Sequence, residues 1–138
     1  MGRTLTSVTI RNIVDVFGLA QGTLEEGQMR MAQVDALVDT GATYLCLPPS
    51  VIERLGLLYS HTQAVRTANG TVEQKLFKGA DVTIDDRSTE AVVMENDEST
   101  PALIGYLILE ALDYVVDPRG KQLIPNPEHE GKWMADLY

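Results

Sequence analysis

The sequence predicts a mainly β protein of one domain with one or two short helices. Three observations lead there. Apolar residues alternate with polar ones in short runs, the period of half-buried strands. Glycines, prolines, an Asn-Gly pair and Asp-rich clusters interrupt the chain roughly every ten residues, as hairpin turns do. The 138 residues, 44% of them hydrophobic, suffice for one compact core and leave little room for a second. About eight short strands and two short helices are expected.

In chain order, Thr6, Val8 and Ile10 alternate with Leu5, Ser7 and Thr9, so Thr4 to Ile10 reads as a strand with one half-buried face. Met1-Gly2 with Thr6 also satisfies the loose N-myristoylation pattern, but the strand reading accounts for the same residues and is preferred. Phe17 to Gly27 carries Gly18, Gly22, Gly27 and Glu25-Glu26 and reads as a surface connection. Alternation resumes over Met29 to Val38, with Ala32, Val34, Ala36 and Val38 on one face, and runs straight into Asp39-Thr40-Gly41. Pro48-Pro49 then opens a short helix over Ser50–Leu55 that Gly56 ends.

Asn69-Gly70, central in Val65 to Val72, signals a tight hairpin with short polar flanks. Ala80, Val82 and Ile84 alternate up to a turn at Asp85-Asp86-Arg87, and Ala91 to Met94 return. An acidic loop from Glu95 to Ser99 leads to Ala102-Leu103-Ile104-Gly105, a buried strand ending in glycine, and then to a helix over Leu107–Leu112. Tyr114-Val115-Val116 pairs with Gln122-Leu123-Ile124 across Asp117 to Gly120. Residues 1–125 are expected to form the domain, and 126–138 a tail much of which is loosely held.

Eleven Lys and Arg against twenty Asp and Glu give a net charge of −9, which opposes nucleic-acid binding by phosphate neutralisation. No apolar run approaches the ~20 residues of a membrane span, and the opening residues lack the apolar stretch of a secretion signal. With Cys46 the single cysteine, no internal disulfide is possible, so a cytoplasmic location is expected. His61 and His129 have no ligand partner at metal-binding spacing and read as surface residues; no metal or cofactor is expected. Glu95-Asn96-Asp97-Glu98 lacks the alternating acids and central glycine of a calcium loop and reads as solvated. Cys46, between Leu45 and Leu47, reads as a small core residue, and Trp133 and Tyr138 as part of a dimer arm, of a partner-binding end or of an unstructured tail.

An internal echo suggests a pseudo-twofold core. Leu37-Val38-Asp39-Thr40-Gly41 precedes one short helix, and Leu103-Ile104-Gly105 precedes another. Asp39 stands at the end of the apolar Ala36-Leu37-Val38, where the small Gly41 lets backbone amides approach its carboxylate and Thr40 offers a hydroxyl. By itself, Asp-Thr-Gly occurs by chance in many loops and reads as a surface turn more often than as a catalytic one.

Context decides between them. From about Met29 to His129 the chain resembles the retropepsin-like aspartic proteases. The resemblance lies in Ala36-Leu37-Val38-Asp39-Thr40-Gly41-Ala42-Thr43, in the Asn69-Gly70 hairpin at the place of the family's flap, and in Ala102-Leu103-Ile104-Gly105 at the place of its second apolar-glycine element. The stretches Leu109 to Pro118 and Leu123 to His129 resemble bacterial members more than viral ones. The resemblance implies a closed, barrel-like acid protease domain in which Asp39 is catalytic and Thr40, Gly41 and Ala42 support its loop. It also implies that Ala68, Asn69, Gly70 and Thr71 form a flap over an extended peptide, with Ile104 and Gly105 as the second glycine element.

Such proteases use two carboxylates that share a proton. This chain has one Asp-Thr-Gly, so the pair must come from two copies of Asp39 across a twofold axis, and a homodimer acting on peptide or protein substrates follows. Thr43-Tyr44 and Tyr106-Leu107 replace the charged pair that viral members carry in those places, both partners being absent together. That departure motivates an alternative, a dimeric peptide-binding module without turnover. A third reading makes Asp39 structural in an unrelated β domain.

Overall fold

The computed structural model describes residues 3–137. Its elements are β1 (Leu5–Asn12), α1 (Ile13–Ala20), β2 (Met31–Val38), β3 (Leu45–Leu47), α2 (Pro49–Leu55), β4 (Leu58–Thr67), β5 (Gly70–Ile84), β6 (Arg87–Glu95), β7 (Ala102–Ile104), α3 (Tyr106–Leu112), β8 (Tyr114–Asp117) and β9 (Gln122–Pro125). The strand order β1-β2-β7-β3-β6-β5 closes on itself because β5 also pairs with β1, which makes a six-stranded barrel. Strand β4 hangs from the outer part of β5, and β8 and β9 form a separate hairpin. The mainly β, barrel-like fold class is thus the one the sequence predicts. The myristoylation pattern rests on Gly2, and Gly2 and Tyr138 lie outside the described residues.

Alternation builds the barrel. Val8 and Ile10 of β1 are fully buried and meet Val34 and Ala32 of β2 in antiparallel register. On the other side Ile10 meets Val82 of β5. Each large aliphatic chain removed from water contributes about 1.5–3 kcal/mol, and Leu45, Leu47, Val93, Ile104 and Leu112 join the same core. The half-to-half echo becomes a parallel pair, β2 beside β7, with Val38 opposite Ile104 and each strand running into its own glycine loop.

Helix α1 differs from the expected connection. Asn12 caps it, its Oδ1 accepting from Val14 N at 2.9 Å and Asp15 N at 3.2 Å, while its Nδ2 donates to the Leu55 carbonyl at 2.9 Å. Asp15, buried on α1, accepts from the backbone and guanidinium of Arg30, which holds its carboxyl below the usual range. Helices α2 and α3 stand where expected, α2 ending on Gly56 at φ +64°. The acidic loop is exposed over Asp97 to Ser99, as its composition suggests, and Glu98 there accepts from Ser50 N and Ser50 Oγ in the first turn of α2.

The tail is exposed over residues 130–137 but is hydrogen-bonded to the domain as far as Met134. Asp113 ends α3 in a left-handed conformation, φ +59°, and its buried carboxylate accepts from Asn126 Nδ2 and Met134 N and bonds His129 Nδ1 at 2.6 Å. Arg87 is buried and has no carboxylate partner among the described residues. It donates to the carbonyls of Leu112, Asp113 and Gly131, and lies over the rings of Tyr114 and Trp133. Trp133 in turn donates to Ala111 O. Chemistry drawn from α3 and the Arg87 strand therefore orders a segment whose own composition suggests none, and His129 is part of that clasp instead of a free surface residue.

Candidate active site

Asp39 leaves β2 with its backbone still fastened. Its N–H donates to Ile104 O at 2.9 Å, and its carbonyl accepts from Ala42 N at 3.1 Å. The carboxylate Oδ1 accepts from Gly41 N at 3.0 Å. A β-carbon on Gly41 would stand 3.3 Å from that oxygen, so glycine keeps the turn tight. Asp39, Thr40 and Gly41 are exposed, leaving carboxylate lone pairs open to a water or a partner.

The second glycine element lies behind this loop. Gly105 is buried against it, Tyr106 N donates to Ala42 O at 2.8 Å, and Leu107 N donates to Thr43 O at 3.2 Å. The first turn of α3 thereby clamps the segment that follows Asp39.

In front of the loop opens a cleft of about 530 Å³. Asp39, Gly41, Ala42, Thr43, Tyr44 and Cys46 line one side, Gln63 to Thr67 and Gln74 of the β4–β5 hairpin line another, and Met94, Asn96 and Leu103 complete it. Asp39 is the one carboxylate among these described lining residues. Thr40 faces a second hollow, shared by Asp39 with Thr4, Leu37 and Val116. The hairpin arms, not its tip, reach the cleft: Ala68, Asn69, Gly70 and Thr71 are exposed and absent from its lining.

The tip itself departs from the expected turn. Thr67 pairs with Gly70, so the connecting residues are Ala68-Asn69, and only Gly70 takes a positive φ, +114°. Thr67 Oγ1 donates to Gly70 O and accepts from Asn69 N, a local closure that displaces the turn by one residue. The flanks are long, paired from Leu58–Lys78 to Thr67–Gly70. Their length was hidden because most of their residues are exposed and carry little apolar alternation.

Cys46 forms part of the cleft wall, yet burial, and secondarily the Asp39 charge, pushes its thiol up to about 11. It remains protonated and a poor nucleophile at neutral pH. Among the described residues no three His, Cys, Asp or Glu side chains gather as a metal site, and no helix is long and apolar enough to cross a membrane. Sequence reasoning missed Gln63, Gln74, Met94 and Asn96 as cleft residues. The pairing of Gln63 with Gln74 depends on a register that composition does not reveal.

Residues 26–111, well over half the chain, match the family model described as "gag-polyprotein putative aspartyl protease". Among solved structures the chain is similar to EIAV protease complexed with the inhibitor HBY-793, at a TM-score of 0.54 and 18% identity, covering 79% of this chain and 86% of that one. At that identity the likeness speaks to the fold. No curated protein sequence matches. With a barrel of this topology, an Asp-Thr-Gly loop at the end of β2 and a family match that spans both glycine elements, the chain belongs to the gag-polyprotein aspartyl protease family and has the retropepsin-like fold.

Proposed function

We propose that the protein is an aspartic endopeptidase assembled as a homodimer, with Asp39 of each subunit forming the catalytic pair. One observation carries this reading: among its described lining residues the cleft beside the Asp-Thr-Gly loop has a single carboxylate, Asp39, whereas acid-pair hydrolysis needs two. A second copy of the chain supplies the other.

The pair holds one proton between its carboxyls. The ionised Asp39 takes a proton from water as the water oxygen adds to the scissile carbonyl carbon, while the protonated Asp39 gives its proton to the carbonyl oxygen, which makes a neutral tetrahedral diol and moves the shared proton to the other carboxyl. Collapse of the tetrahedral diol breaks the C–N bond as the protonated carboxyl gives its proton to the departing amine and the ionised one takes a proton from a diol hydroxyl, which restores the singly protonated pair. Gly41 N–H fixes the carboxylate orientation, Thr40 couples the two loops across the axis, and Ala42 continues the turn into the cleft. The β4–β5 hairpin covers an extended peptide and holds it by main-chain hydrogen bonds, with the Ala68 to Thr71 tip closing over it.

Digestion of a peptide library by the purified dimer beside Asp39→Asn tests this. The expected result is a folded dimeric variant without turnover, and a parent whose rate follows a bell-shaped, acid-leaning pH profile. Equal cleavage by parent and variant would sink the proposal. A dimer that binds peptides but never cleaves them supports the second reading, a peptide-binding module, which the uncharged Tyr106-Leu107 and Thr43-Tyr44 positions favour.

A further inference from the structure

One hydrogen-bond link joins the Asp39 loop to the hairpin above the cleft. Tyr44, on the way from Asp39 to β3, points its hydroxyl at the Gln63 side chain of β4, 3.5 Å from Oε1 and 3.4 Å from Nε2. Gln63 Oε1 is also 3.1 Å from His61 Nε2, and His61 Nδ1 is 2.9 Å from Ser60 Oγ. Register puts His61 opposite Leu76 and Gln63 opposite Gln74, so His61 and Gln63 share one face of the hairpin, on which Gln63 lines the cleft and His61 is exposed.

Beyond Gln63 the hairpin has few other restraints. Its partner β6 is reached only from Leu76 onward, and Arg66 to Glu73 are exposed. Among the described residues, no other hydrogen bond connects residues 39–47 with residues 58–75. At 3.4–3.5 Å the contact is longer than a well-formed hydrogen bond, so it holds the hairpin loosely and is readily broken and remade.

We propose that Tyr44 and Gln63 form a pin that sets the height of the hairpin above the Asp39 loop, and so act as positioning residues for a peptide strand lying in the cleft. The occupant rests on the peptidase reading given above; the pin itself does not. Without it the arms splay and bind an extended peptide less well, while the groups around the reacting atoms stay in place.

The test compares the parent dimer with Tyr44→Phe, Gln63→Ala, the double variant and Gln63→Glu, which keeps an oxygen able to accept from the Tyr44 hydroxyl. Amide hydrogen exchange over residues 63–74 is expected to speed up about fivefold in each of the first two variants and no further in the double, with Gln63→Glu near the parent. Peptidase assays are expected to show KM rising about fivefold in the same variants with kcat near the parent's. Unchanged exchange, additive effects in the double variant, or a loss confined to kcat would overturn the pin. Should the parent cleave nothing, the exchange data still decide the pin while the peptidase reading falls separately.

Discussion

Gly105 lies directly against Ala42: a β-carbon on Gly105 would stand 2.7 Å from the Ala42 carbonyl oxygen and 2.6 Å from the Thr43 carbonyl carbon. Its φ of −86° is ordinary, so glycine is required here for space and not for backbone freedom. The neighbouring atoms are backbone and cannot swing aside. Gly105→Ala is therefore expected to cost about 1–3 kcal/mol, read as a lower urea midpoint at unchanged slope. Any peptidase activity should fall with it, since the displaced segment is the one holding Asp39.

Asn12 serves two helices at once, capping α1 through Oδ1 and reaching the last carbonyls of α2 through Nδ2. Asn12→Ala should lose about 1–2 kcal/mol. Asn12→Asp keeps the cap and loses the donor, so thermal melts should place it between parent and Ala variant.

The clasp between His129 and Asp113 makes tail docking depend on pH. The hydrogen bond from His129 chiefly lowers the Asp113 carboxyl, and the same bond chiefly raises His129, helped by Asp136 and Glu128. The Asp113 contribution is present above its unfolded value of 3.8 and lost as pH falls through its lower folded value. The His129 contribution is complete below its unfolded 6.5 and lost as pH rises through its higher folded value. The clasp should thus be strongest between those two unfolded values. Trp133 fluorescence or tail proteolysis followed against pH checks it, and His129→Ala should remove the alkaline limb.

Cys46, raised to about 11 and 1% exposed, should resist thiol reagents at neutral pH in the native protein and react at once in denaturant. Asp39→Asn should lower that thiol's pKa slightly, because the Asp39 charge is the second cause of its shift. Thiol-labelling rates measured against pH in the two proteins read this directly.

What the sequence made legible follows the strength of the local chemistry. Strand β2 running into Asp39, the Ile104-Gly105 end of β7, α3, and the β8–β9 hairpin all carry apolar runs bounded by glycine, proline or turn residues. Helix α1 was missed although Asn12 and Asp15 stand at N-cap spacing, because the alternation of β1 runs into it and Gly18 lies inside it. Strand β3 is too short, at three residues, to show a period. The docked tail depends on Asp113 and Arg87, which are distant in sequence from what they hold.

Strand β5 has a further implication. It spans fifteen residues, pairing with β4 at one end and with β1 and β6 at the other, and its register shifts around Gly79, at φ +99°. The hairpin is therefore a lever whose fulcrum is built into the barrel wall. Force applied at its far end is delivered to Ala80 and Val82 in the hydrophobic interior, so the stiffness of that interior sets how far the lever can travel.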